Sequence, residues 1–178
     1  MAGHRNRGGA GQIALVGMLT ALSLVFLYLS VLTPTARLGV VAIAGLLPAG
    51  AVVSAGLGAG FFCYAATGIL GLLLLPDKGH ALLYLIFFGL YPMVKYLIEL
   101  LRNLPGEWIC KLAFFNGILT LFWFGLSTVL LPFLPAALNQ VWMVYLAGNA
   151  AFIIYDIGFS KLIALYVVRI DKVLRKGG

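Results

Sequence analysis

Charge is scarce in this chain. Only 10% of its 178 residues are Asp, Glu, Lys or Arg, while 63% are hydrophobic. Soluble domains carry roughly 25% charged residues. The shortage excludes a water-soluble globule, because a chain of this size has no interior large enough for that much apolar surface. Alternation is missing too. A membrane barrel repeats apolar and polar residues through segments of about 10, and here the apolar runs are long and unbroken. In lipid every backbone N–H and C=O needs an internal partner. The expected fold class is therefore all-α: a polytopic membrane protein, folded as a six-transmembrane-helix bundle.

Cysteine is nearly absent. Cys63 lies within an apolar run and Cys110 at a basic segment end, which gives no disulfide framework, and no CxxC or Cys/His cluster points to metal. His80 is a lone histidine in a polar stretch. Catalytic signatures are missing as well: there is no HExxH, phosphate-binding loop or Gly-x-Ser-x-Gly elbow. Gly158-Phe159-Ser160-Lys161 sets a serine beside a lysine, without an intramembrane histidine to activate it. No enzymatic activity, cofactor or metal is expected. The net charge of +7 does not imply nucleic acid, because the basic residues sit at segment ends, where they mark cytoplasmic loops. The partner expected from composition is the lipid bilayer.

What is present is a series of spans. Residues 1–11 form a basic N-terminus, 12–168 the transmembrane domain and 169–178 a basic tail. The first span is Gln12–Leu32, longer than the roughly 7–15 residues of a signal-peptide core. Leu38–Pro76 carries no charge. As one helix it would be about 58 Å long at 1.5 Å per residue, nearly twice the hydrocarbon thickness of about 30 Å. It must fold back, and Gly56, Gly58 and Gly60 mark the turn. That gives Leu38–Ala55 and Leu57–Leu75. Ala81–Leu101, Leu112–Leu131 and Val141–Val168 complete the six, with loops at Pro76–His80, Arg102–Lys111 and Pro132–Gln140. One side then receives Arg5, Arg7, Arg102, Lys111, Arg169, Lys172, Arg175 and Lys176, and the other only Arg37 and Lys78. The positive-inside rule puts the first side, and both termini, in the cytoplasm.

Four charges fall inside spans: Lys95, Glu99, Asp156 and Lys161. Each costs about 2.5–3.5 kcal/mol on insertion scales, so each needs a partner or a function. A Lys95–Asp156 pair with Glu99–Lys161 beneath it neutralises all four, with Asn116 nearby. Two readings stay open, a structural polar clamp and a substrate or proton path. Toward the outer side lie Arg37, Asp77, Lys78, His80, Tyr84, Trp142, Tyr145 and Asn149. Tyr145, Asn149 and Phe152 recur at helical spacing, as one wall of a ligand cavity or as an aromatic belt. Gly17-x-x-x-Ala21 in the first span lets another helix approach closely.

In its size, its six spans, its Gly17–Ala21 motif and its Gly/Ala-rich stretch from Leu46-Leu47-Pro48-Ala49-Gly50-Ala51 through Gly58-Ala59-Gly60, the chain resembles the substrate-binding S component of energy-coupling factor (ECF) transporters. The resemblance implies uptake of a vitamin-like micronutrient through the cell membrane. Its partners would be a coupling subunit packed on helices one to three, at Gly17 and Ala21, and an ATPase module. It also makes Arg37, Tyr84, Trp142, Tyr145 and Asn149 the substrate-binding candidates. Two alternatives stand beside it: a non-catalytic scaffold of envelope synthesis of the MreD type, and a small self-sufficient secondary transporter coupled through Lys95, Glu99 and Asp156.

Overall fold

A chain that must pair its backbone inside lipid can do so within each apolar segment, and the helices follow the apolar runs. In the computed structural model, which describes residues 9–33, 36–126 and 140–176, the helices are α1 (Gly9–Leu32), α2 (Arg37–Ala55), α3 (Leu57–Leu74), α4 (Lys78–Leu83), α5 (Tyr91–Glu99), α6 (Leu104–Phe124) and α7 (Val141–Lys176). A single π-helical turn, Tyr84–Phe88, joins α4 toward α5. Six stretches are long and apolar enough to cross a membrane, the fourth running from Lys78 to Glu99. The described residues contain no strand. The protein is an all-α, multi-pass membrane protein.

The expected boundaries hold closely for the first three spans. The fold-back between α2 and α3 needs one glycine of the three named. Gly56 has φ 91° and ψ 174°, a conformation essentially reserved for glycine, while Gly58 and Gly60 lie inside α3. The fourth span starts at Lys78 rather than Ala81, because the Asp77 carboxylate accepts the Gly79 N–H at 2.8 Å and caps the helix. The fifth span is corrected most. It starts at Leu104, eight residues before the expected Leu112, so Lys111 is helical rather than part of a loop. Pro105 and Glu107 occupy its first turn, as a helix N-terminus favours. The far end of the expected fifth span, residues 127–131, lies outside the described residues, as do Arg5, Arg7, Pro34, Thr35, Pro132, Pro135 and Asn139.

The chain divides into two units, Met1–Met93 and Val94–Gly178. In the first, α1, α2 and α3 pack on one another, and the π turn lies against α2. Leu19, Ala51 and Cys63, one from each helix, form the centre, with Leu15, Val16, Leu47 and Ala59 around them. Ser23 on α1 donates to the Ala44 carbonyl on α2 at 2.9 Å. Close approach depends on small residues: a Cβ on Gly45 would collide with the Phe88 carbonyl of the π turn. In the second unit α6 packs on α7, and the two meet through polar side chains.

Candidate functional site

The spacing of polar residues on α6 and α7 builds this site. On α7, Tyr145, Asn149, Phe152 and Asp156 follow one another by four, three and four residues, which keeps them on one helix face. On α6, Thr120, Asn116, Phe115 and Lys111 run the other way. The faces meet as a ladder. Thr120 and Tyr145 hydroxyls lie 2.6 Å apart. Asn116 and Asn149 exchange amide hydrogen bonds of 2.9 and 3.0 Å. Phe115 stacks on Phe152 with ring centroids 4.6 Å apart. At the end of the ladder the Lys111 ammonium stands 3.3 Å from Asp156 Oδ2. The partner index on α7 rises as that on α6 falls, so the two helices are antiparallel.

Asp156 anchors a four-charge cluster. Lys95 pairs with Asp156 Oδ1 and, one helical turn along α5, with Glu99 at 2.8 Å. Lys111 reaches the same Glu99 oxygen at 2.9 Å. Each lysine thus touches both carboxylates, and the formal charges cancel. Lys95, Lys111 and Asp156 are buried, while the Glu99 side chain is 44% exposed and forms the open corner. The Trp108 ring lies 5.7 Å from the Lys111 ammonium, adding a cation–π contact.

Sequence reasoning placed three of these four charges correctly and paired Lys95 with Asp156. The Glu99–Lys161 pair is corrected: Lys111 takes that place. Lys161 follows Asp156 by five residues, about 140° around the helix, and is exposed on α7. The signal for Lys111 was available in Pro105 and Glu107, which mark a helix start well before it. Ser160 donates to the Asp156 carbonyl at 2.8 Å, an ordinary back-bond within its own helix.

The substrate candidates fall in both units. Within the first, Arg37 opens α2, half-buried, with no hydrogen-bond partner at its Nε. Tyr84 is fully buried. His80 is buried in α4, its Nδ1 3.2 Å from Asp77 Oδ2, rather than lying in a loop. Within the second unit, Trp142 is 62% exposed and Tyr145 is engaged by Thr120. Asn149 gives one amide hydrogen to Asn116 and the other to the Tyr145 carbonyl at 2.8 Å. A ligand that takes Asn149 as a donor must therefore displace a protein partner. Among the described residues no group of three or more His, Cys, Asp or Glu could hold a metal ion.

What the site does chemically follows from these pairings. It stores charge at low dielectric in a compensated form, and its hydrogen bonds tie α6 to α7 where hydrophobic attraction between helices is absent. In comparison with known proteins, no protein-family model, curated protein or solved structure matches this chain.

Proposed function

We propose that the chain is the substrate-binding membrane subunit of an ECF-type transporter for a vitamin-like small molecule. In this reading it lies in the cell membrane with both termini cytoplasmic, and it works with a coupling subunit and an ATPase module. The observation that carries the reading is the outward face of α1. Gly17 and Ala21 are exposed, and a Cβ built on Gly17 would meet no atom within 4 Å. A close-approach motif that its own bundle does not use is available to another helix. The resemblance makes Arg37 and Tyr84 in the first unit, and Trp142, Tyr145 and Asn149 in the second, the candidates for substrate binding.

The experiment is a pull-down from native membranes with the Gly17→Leu, Ala21→Leu double variant, beside a melting curve. Loss of the ATPase module with an unchanged melting temperature is the expected result. Full recovery of the module, or no module with the wild-type protein, defeats the proposal.

One observation favours a second reading. The buried Lys95–Asp156–Lys111–Glu99 cluster, with Glu99 half exposed, suits a self-sufficient transporter that couples substrate movement to protons. Liposomes holding only this chain separate the two: the ECF reading requires no uptake from them.

A further inference from the structure

α7 is longer than a membrane needs. Its 36 residues, Val141–Lys176, extend about 54 Å at 1.5 Å per residue, against a hydrocarbon layer of about 30 Å. The apolar part alone, Val141–Val168, has 28 residues, or about 42 Å. Surplus length of this kind is accommodated by tilting, which lays the last turns of the helix along the headgroup layer. α7 also outruns its neighbour. Lys111 meets Asp156 and α6 begins only seven residues earlier, at Leu104, so the antiparallel pairing ends near residue 163 of α7.

The free end of the helix is asymmetric. At about 100° per residue, Lys161, Arg169, Lys172, Arg175 and Lys176 fall by register within an arc of about 120°. Asp171 lies outside that arc. Leu165 and Val168 lie inside it and are 60% and 51% exposed, and Lys161 is exposed as well. The ladder residues that meet α6, Tyr145, Asn149, Phe152 and Asp156, centre roughly 170° away around the helix. The basic stripe is therefore on the far side of α7 from α6, and its countercharge has to come from outside this helix pair.

We propose that the basic stripe of α7 binds the phosphate headgroups of anionic phospholipid in the leaflet that its C-terminal end meets. Charge complementarity and the interleaved apolar residues select this partner. Lysines and arginines clustered at the end of a span attract anionic lipid. A nucleic acid or an acidic soluble protein would match the charges but not Leu165 and Val168, which need acyl chains beside them, as an interfacial amphipathic helix does. Lys161 stands two turns before Arg169, inside the apolar run. A lysine so placed lays its aliphatic stem along the lipid and raises its ammonium to the headgroups. The stripe includes none of the substrate candidates and none of the four clustered charges, so it is independent of the transport reading.

The test is native mass spectrometry of the full-length protein, released from detergent after incubation with equal amounts of phosphatidylglycerol and phosphatidylcholine. The wild type should retain phosphatidylglycerol over phosphatidylcholine by about tenfold or more, and raised salt should narrow the ratio, because exposed charges are screened. Lys161→Gln with Arg169→Gln and Lys172→Gln should bring the ratio close to one. Arg5→Gln with Arg7→Gln and Lys78→Gln removes the same net charge elsewhere and should leave it unchanged. Equal retention of the two lipids by the wild type, or the same loss in both folded variants, overturns the proposal and leaves the stripe to an acidic protein. A second measurement needs no variant. A photoactivatable phosphatidylglycerol in nanodiscs should crosslink within Lys161–Lys176, and crosslinks confined to the other spans would overturn the proposal too.

Discussion

At the scale of single residues, Asp156 has the most to lose. It faces two lysines, and its removal leaves Lys95 and Lys111 sharing only Glu99. Breaking a buried pair by deleting one partner costs about 3–5 kcal/mol, so Asp156→Leu should destabilise the protein by that order in thermal or denaturant unfolding. Asp156→Leu with Lys95→Leu leaves the Lys111–Glu99 pair at 2.9 Å and should recover part of the loss. Additive losses in this double-mutant cycle would contradict mutual compensation. Lys161→Leu, on the exposed side of α7, should change stability by no more than about 0.5 kcal/mol. The Asn116–Asn149 exchange predicts a smaller coupling, about 0.5–2 kcal/mol. Either single leucine substitution leaves the remaining amide with only its bond to a carbonyl of its own helix, and the double substitution should cost less than the two singles together.

At the scale of elements, backbone geometry sets the turns. Gly56 is the one described glycine with positive φ, and Gly56→Ala should lower stability by about 1–3 kcal/mol. Gly58→Ala, whose Cβ would meet nothing within 4 Å, should be neutral or slightly favourable. A melting-curve comparison of the two variants isolates the turn. Between α5 and α6, Arg102 takes φ 51°, a left-handed conformation that asparagine tolerates better than arginine. Arg102→Asn should keep the fold or stabilise it by up to about 1 kcal/mol. The elements also show what hydropathy can reveal. The apolar runs located α1, α2 and α3 almost to the residue, because a span is mostly a matter of length and solvent. Pro105 and Glu107 signal the start of α6, but Trp108 and Lys111 look like loop residues until their partners are known. Lys111 is tolerated inside because Glu99 and Asp156 meet it, and those contacts join residues far apart in the chain. The π turn was not legible at all. Tyr84–Phe88 would suit an α-helix equally well, and the departure depends on how Gly89, Tyr64 and Gly45 pack around it.

At the scale of the whole molecule, orientation is the property that every functional reading shares. With Lys111 inside α6, seven basic residues on one side against two on the other still predict cytoplasmic termini. Single cysteines at Gly3 and Gly177, in a background without Cys63 and Cys110, should resist an impermeant thiol reagent in intact cells and react after permeabilisation. Labelling of either from outside would reverse the topology and move Arg37 and Lys78 to the cytoplasmic face.

The ladder between α6 and α7 has a mechanical consequence. Its four rungs are matched by identity as well as by position: hydroxyl to hydroxyl, amide to amide, ring to ring, ammonium to carboxylate. Sliding one helix past the other by a single turn, about 5.4 Å, would set unlike groups opposite each other at every rung at once and strand a lysine against an aromatic ring. No small displacement offers a second matched register. The two helices therefore behave as a keyed pair that can tilt or travel together but cannot slip, and any shape change of the protein has to be taken up at joints elsewhere in the chain.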